Sequence, residues 1–154
     1  MPDFFQEYLS ILEGCHNDIW RQIGDLTFDG LDWIPSPDMN SITVLVYHLT
    51  GAERYWIGDV VDQTPSGRDR NGEFRVKNMG ADALKTRLDE NMEYIRKAVG
   101  KLSLTDLAAT RVSPRDGRTF TVAWALLHAL EHSMLHLGHI EMTRQLWESR
   151  KSSS

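Results

Sequence analysis

The chain has 154 residues, of which 41% are hydrophobic and 25% charged, a composition typical of one folded domain rather than of a disordered segment. Its net charge of -5 argues against a nucleic-acid partner, because phosphate binding needs clustered Lys and Arg. No signal peptide is predicted, and no apolar run reaches the roughly 20 residues of a membrane-spanning helix, so we expect a cytoplasmic protein without a membrane partner.

The first part of the chain contains two amphipathic segments separated by a loop. Apolar residues at spacings of three and four predict a helix over residues 2–26. Residues 27–40 contain one glycine and two prolines, so we expect an ordered loop, held to the protein by Trp33. A second helix is predicted over residues 41–61. Its β-branched start would also suit a strand, but the apolar period continues through Trp56 and favours a helix.

Residues 62–80 form a long connection with three glycines and a run of charge. A bundle needs such a connection where the chain crosses over instead of turning straight back. We interpret the charges of this run as a solvated surface, with a substrate-contacting role as the less favoured alternative. These charged residues are Arg68, Asp69, Arg70 and Glu73. A third helix is predicted to begin at an Asp82 cap and to end at Gly100.

The last part of the chain begins with a turn. Residues 114–117 have a turn composition between two short alternating stretches, which predicts a β-hairpin. Thr119 or Thr121 then caps a last helix that runs to about residue 148. Four amphipathic helices with one long connection, between the second and third, predict an all-α four-helix bundle. We expect one domain over residues 1–149 and a disordered tail over 150–154.

The last predicted helix carries four of the six histidines. His128, His132 and His136 follow one another by one turn on one face, and His139 lies beside His136. Residues four apart on a helix have Cβ atoms about 5–6 Å apart, so two imidazoles can share one ion. A lone buried His is more often a core residue than a ligand. Several imidazoles along one stripe are costly unless a cation compensates them, so we predict that two of them bind a metal with a third ligand from elsewhere.

His48 is the candidate third ligand, because it lies in the middle of the second helix beside an apolar face. His16 lies within the apolar stripe of the first helix and is interpreted as a core residue. Cys15 is the single cysteine, so a thiolate cluster is excluded and any metal is held by nitrogen and oxygen. Three protein ligands leave a fourth position open, where a bound water or thiol would have a lowered pKa.

The residues around these histidines resemble a known family. The segment VLVYHLTGAERYW around His48 and the segment HSMLHLGHIEMTRQ with His132 and His136 are similar to segments of the DinB/YfiT-like superfamily. The last helix of that family carries a His-x-x-x-His-x-Gly pattern. The stretches RDRNGEF and PRDGRTFTV are also similar to segments of members of this superfamily, so the resemblance covers nearly the whole chain.

The resemblance implies an up-down-down-up four-helix bundle, often a homodimer, with a divalent metal, zinc or nickel, on three histidines. Carried over by position, the ligands are His48, His132 and His136, whereas His128 and His139 do not match ligand positions. Relatives include thiol-dependent transferases and isomerases and metal-dependent hydrolases. The chain departs from one thiol-transferase branch, in which a Glu often stands at the position of His132.

Three functions stay open at this point. We favour a metal-dependent S-transferase that uses a low-molecular-weight thiol on a small-molecule substrate. A metal-dependent hydrolase ranks second, because Glu53 and Glu131 are turned away from the neighbouring histidines and no general base is evident. A non-catalytic metal-binding or dimerisation module is the third. Tyr55 and Trp124, each about two turns from a proposed ligand, are candidate pocket residues.

Overall fold

A computed structural model describes residues 1–150 of the chain. The predicted disordered tail, residues 150–154, therefore lies outside the described residues except for Arg150. The helices and strands, in chain order, are α1 (Asp3–Ile23), α2 (Phe28–Asp32), α3 (Ile42–Glu53), a π-helical segment that continues α3 (Arg54–Asp62), α4 (Arg70–Glu73), α5 (Ala81–Val99), a 3-10 turn (Leu104–Ala108), β1 (Thr110–Val112), β2 (Thr119–Thr121) and α6 (Val122–Ser149).

Four long helical units form a bundle, and hydrogen bonds between them fix its topology. The first and last units, α1 and α6, run parallel, because a residue near the start of α1 bonds to one near the start of α6 and a residue near the end of α1 bonds to one near the end of α6. The two middle units, α3 with its π-helical segment and α5, are parallel to each other for the same reason. The pairs that establish these directions are Tyr8 with Leu126, Gln22 with Arg144, Thr50 with Arg87, and Asp62 with Lys101.

The two parallel pairs run in opposite directions. His48 near the middle of α3 faces His136 of α6, whereas Trp56 further along the second unit faces the earlier residue Trp124. The bundle is therefore up-down-down-up, as predicted, and residues 63–80 make the crossover between the two parallel middle units.

Side-chain caps explain several helix starts. Ser41 Oγ accepts a hydrogen bond from the backbone N–H of Val44, and Thr121 Oγ1 caps α6 in the same way. The predicted Asp82 cap is wrong, because α5 begins at Ala81 after Gly80 and no side chain caps it. Asp82 instead lies in the first turn, where its negative charge suits the helix dipole.

A buried polar layer crosses the middle of the bundle, between two clusters of apolar side chains. Glu53 of α3 is fully buried. Its carboxylate accepts hydrogen bonds from His16 of α1, Asn91 of α5 and Ser133 of α6. His16 is thus a core residue, as predicted. The layer joins all four helical units, and the three donors compensate a charge that would otherwise be costly to bury.

The predicted hairpin is present before α6. Strands β1 and β2 pair antiparallel, with Thr110 opposite Thr121. Gly117 has a φ of 72°, a left-handed conformation that glycine adopts without strain. Within residues 1–150, no helix combines the length and the apolar character needed to cross a membrane.

Candidate metal centre

Three imidazoles converge between α3 and α6. One nitrogen each of His48, His132 and His136 lies within 4.8 Å of the other two. The Nε2 atoms of His132 and His136 are 3.2 Å apart, and the ring centroid of His48 lies 5.0 Å from both of their centroids. We call these three residues the histidine cluster. Three imidazole nitrogens this close together fit a divalent cation such as zinc, for which imidazole is a common ligand.

A carboxylate orients one of the three rings. Nδ1 of His48 lies 3.1 Å from Oε2 of Glu73, so His48 donates Nδ1–H to the carboxylate and its Nε2 keeps a free lone pair. Such a carboxylate behind a ligating His is the usual outer partner in metal sites. Arg68 binds both oxygens of Glu73, at 2.6 and 2.8 Å. Burial raises the pKa of Glu73, but the hydrogen bonds from Arg68 and His48 outweigh this and keep that pKa below its usual range.

The interpretation of residues 68–73 as a solvated surface is wrong for two members. The side chains of Arg68 and Glu73 are only 10% and 6% exposed, because they pair with each other against α3. Gly51 makes this approach possible, since a Cβ there would overlap the Glu73 carboxylate. Spacing alone could not identify Glu73 as the partner of His48, because 25 residues separate the two in the chain.

Burial and mutual repulsion keep His132 and His136 neutral. Burial first, and then the neighbouring His136 and His48, lower the pKa of His132 to about 3. Burial, and then His48 and His139, lower the pKa of His136 to about 4. A metal needs deprotonated imidazoles, and both rings are in that form at neutral pH. Nδ1 of His132 is buried and has no hydrogen-bond partner in the described part of the chain.

The other two histidines of α6 lie beside the histidine cluster. His128 stacks on Trp124, with ring centroids 4.6 Å apart, and lies 6.1 Å from the ring of His132. Nδ1 of His139 is 3.2 Å from Nδ1 of His136. Neither joins the group of nitrogens that could hold one ion.

The two candidate pocket residues lie in different places. Tyr55 lines a cavity of about 260 Å³ between the π-helical segment, the crossover and the hairpin. Trp124 is 42% exposed and lines a separate, more apolar cavity with His128 and Glu131. Three arginines and one aspartate line the cavity beside Tyr55.

A family model of the DinB superfamily matches residues 11–140. This chain belongs to the DinB superfamily. Among curated proteins, no sequence matches the chain.

Solved structures related to this DinB superfamily member share its fold. A conserved protein from Enterococcus faecalis superposes with a TM-score of 0.79 at 14% identity, over 94% of this chain and 96% of that one. YfiT from Bacillus subtilis, described as a probable metal-dependent hydrolase with an unusual four-helix bundle topology, superposes with a TM-score of 0.75 at 16% identity, over 94% and 88%. A DinB-like protein from Bacillus cereus has a TM-score of 0.73 at 12% identity, over 91% and 90%.

Proposed function

We propose that this protein is a metal-dependent enzyme in which His48, His132 and His136 hold a divalent cation, zinc or nickel. Its reaction is the transfer of a low-molecular-weight thiol to an electrophilic small-molecule substrate. The observation that carries the proposal is the convergence of three imidazoles, with no further His, Cys, Asp or Glu grouped with them among residues 1–150. Three ligands with an open fourth position are typical of catalytic rather than structural zinc sites.

The residues around the cluster have separate tasks in this proposal. A cation held by the three imidazoles lowers the pKa of a thiol or water in its open position. Glu73 accepts Nδ1–H of His48 and so fixes the ring and its tautomer. Arg68 keeps that carboxylate ionised and in place. Phe74, whose ring lies 5.0 Å from that of His48, covers one side of the cluster against water.

The state of Glu73 favours thiol transfer over hydrolysis. A thiol that loses its proton is itself the nucleophile, whereas a hydrolase gains from a carboxylate that acts as general base on the bound water. Glu73 is the carboxylate in contact with the cluster, and both of its oxygens are occupied by Arg68 and His48. A metal-dependent hydrolase is the second candidate, because the structurally similar YfiT is described as a probable one.

Metal analysis and activity assays test the proposal together. The protein, purified without an affinity tag, should contain about one zinc or nickel per chain, as a three-His site holds. It should conjugate thiols such as glutathione, cysteine and coenzyme A to 1-chloro-2,4-dinitrobenzene or monochlorobimane, and chelator should abolish the reaction. His136→Ala should lose both metal and activity, whereas the control His128→Ala, which replaces a ring beside the cluster, should keep the metal.

The alternatives give different results in the same assays. Metal-dependent hydrolysis of esters or amides without thiol conjugation would support the hydrolase. Bound metal with neither activity would support a non-catalytic metal-binding or dimerisation module. A chain that takes up no zinc or nickel would contradict the metal site itself.

The exposed face of α6 supports a homodimer as the proposed assembly. Large apolar side chains follow this helix on the side away from the bundle core, where a monomer would leave them in water. They are Trp124, Leu127, Met134, Leu135, Met142 and Leu146. Leu127→Glu should shift the protein to a monomer in light scattering, whereas Leu104→Glu, at an exposed leucine outside α6, should leave the dimer intact. A monomeric wild-type protein would contradict this assembly. A cytoplasmic location completes the proposal.

A further inference from the structure

The cavity beside Tyr55 has walls from three parts of the chain. Tyr55 comes from the π-helical segment, Arg68 and Arg70 from the crossover, and Arg115 from the hairpin turn. Its volume is about 260 Å³, enough for part of a small molecule. The guanidinium carbons of Arg115 and Arg68 lie 5.2 and 5.9 Å from the centroid of the Tyr55 ring, so two cationic groups are gathered around that aromatic side chain.

Some charges on the cavity wall already have partners. Arg68 is neutralised by Glu73, as described above. Asp59 also lines the cavity, and its carboxylate accepts hydrogen bonds from the backbone N–H and hydroxyl of Ser66 and from Arg54. The charges of Arg68 and Asp59 are therefore already paired within the protein.

The positive charges of Arg70 and Arg115 are compensated less fully than that of Arg68. Within the described part of the chain, Arg70 makes no ion pair, and its guanidinium lies 5.3 Å from the centroid of the Phe74 ring. The carboxylate nearest to Arg115 is that of Asp116, at 3.7 Å, and Arg118 holds the same oxygen at 2.8 Å. The cavity is therefore lined by one guanidinium without an acidic partner in the described chain and by a second that shares its carboxylate with Arg118.

The cavity and the histidine cluster are neighbours on one helical unit. Tyr55 follows His48 by seven residues, which is two turns, on nearly the same helix face and about 10 Å along the axis. Two residues connect the cavity with the histidine cluster. Arg68 lines the cavity and binds the carboxylate that orients His48. The ring centroid of Phe74 lies 5.0 Å from that of His48 and 5.3 Å from the guanidinium carbon of Arg70.

We infer that this cavity binds the carboxylate or phosphate group of a small molecule whose other end reaches the histidine cluster. The planar guanidinium fork pairs with such oxyanions through two parallel hydrogen bonds, and Arg70 and Arg115 supply two forks. The inference rests on the proposed function and narrows it: the thiol is an anionic one, whose charged group binds at the two arginines while its sulfur reaches the histidine cluster.

Arginine side-chain NMR tests the cavity separately from the enzyme activity. The full-length protein as purified is titrated with succinate and with inorganic phosphate, and the Nε–H signals of Arg70 and Arg115 are followed. At least one anion should shift both signals, and Arg70→Gln/Arg115→Gln should weaken its binding at least about tenfold, as expected for loss of charge-assisted bonds. The control Arg21→Gln/Arg96→Gln removes the same charge from exposed positions of α1 and α5 and should bind like wild type. Which anion binds distinguishes a carboxylate from a phosphate.

Calorimetry with glutathione and glutathione diethyl ester, which share one thiol and differ in their carboxylates, tests the link to the metal. On the zinc-loaded protein glutathione should bind at least about tenfold more tightly than the ester, and the Arg70/Arg115 double variant should remove this difference while keeping its zinc. Anion binding at the two arginines without thiol binding would support the cavity and refute the thiol reaction. Equal binding of glutathione and its ester, or anion titrations that leave the two arginine signals unmoved, would overturn the inference.

Discussion

Glu73→Gln removes the charge behind His48 while keeping the shape of the side chain. The carboxylate is 6% exposed and lies 3.1 Å from Nδ1 of His48. Loss of such an outer partner lowers metal affinity about 10–100-fold, or about 1.4–2.8 kcal/mol. We expect the upper part of this range, because Nδ1 of His132 has no partner in the described chain and Nδ1 of His136 faces only another imidazole. Within residues 1–150, Glu73 is the carboxylate that hydrogen-bonds one of these three rings.

Competition with a chromophoric zinc chelator measures this affinity, and circular dichroism checks that each variant is folded. The check matters because the substitution also leaves Arg68 without its anionic partner, which destabilises a buried pair by about 3–5 kcal/mol. Glu93→Gln is the matched control, since Glu93 pairs with Lys97 on the exposed surface of α5. A folded Glu73→Gln protein that binds zinc as tightly as wild type would refute the role assigned to this carboxylate.

Three further predictions follow from the same contacts. Gly51→Ala should displace the Glu73 carboxylate and weaken zinc binding, whereas Gly138→Ala, whose added Cβ meets no atom within 4 Å, should not. Equal zinc affinities of the two variants in the chelator assay would argue against the close approach of Glu73 to Gly51. Burial lowers the pKa of His16, but its carboxylate partner raises that pKa more. The stabilisation that protonated His16 contributes is therefore complete below about pH 6.5 and is lost as pH rises through the folded pKa. In urea unfolding, wild type should lose more stability than His16→Gln between about pH 6 and pH 9. The pKa values of His132 and His136 are about 3 and about 4 in the folded protein, so as pH falls the unfolded chain binds protons at these histidines before the folded chain does. The metal-free protein should therefore lose stability as pH falls from about 6.5 to about 4. Replacing both residues by Asn should reduce that loss in urea unfolding.

The long helices were predictable because each repeats an apolar residue every three or four positions over several turns. α1, for example, was predicted over residues 2–26 and extends over Asp3–Ile23. The helices α2 and α4, of 5 and 4 residues, were missed because so short a segment contains hardly one period. Their starts depend instead on local caps, in which Thr27 and Asp69 accept hydrogen bonds from the glycines three positions later.

The site was only partly predictable for a related reason. Two histidines four apart on a helix are a local pattern, so His132 and His136 could be paired from spacing. The roles of Arg68 and Glu73 depend on how the crossover folds back onto α3, and in sequence both residues look like surface charge. The signal that could have found them is chemical: a ligating His needs a partner for its second nitrogen, and the crossover carries a carboxylate and the arginine that neutralises it.

The polar layer explains how the bundle can hold the three imidazoles of the histidine cluster at a fixed spacing. Glu53 follows His48 on α3, and Ser133 follows His132 directly on α6. The hydroxyl of Ser133 donates to the buried Glu53 carboxylate at 2.6 Å, so a sliding or rotation of α6 that moved His132 would also leave a buried charge short of a donor. Such an uncompensated group costs about 1–3 kcal/mol or more. The same carboxylate therefore holds both helices that bring the three imidazoles together, although it contacts none of the three.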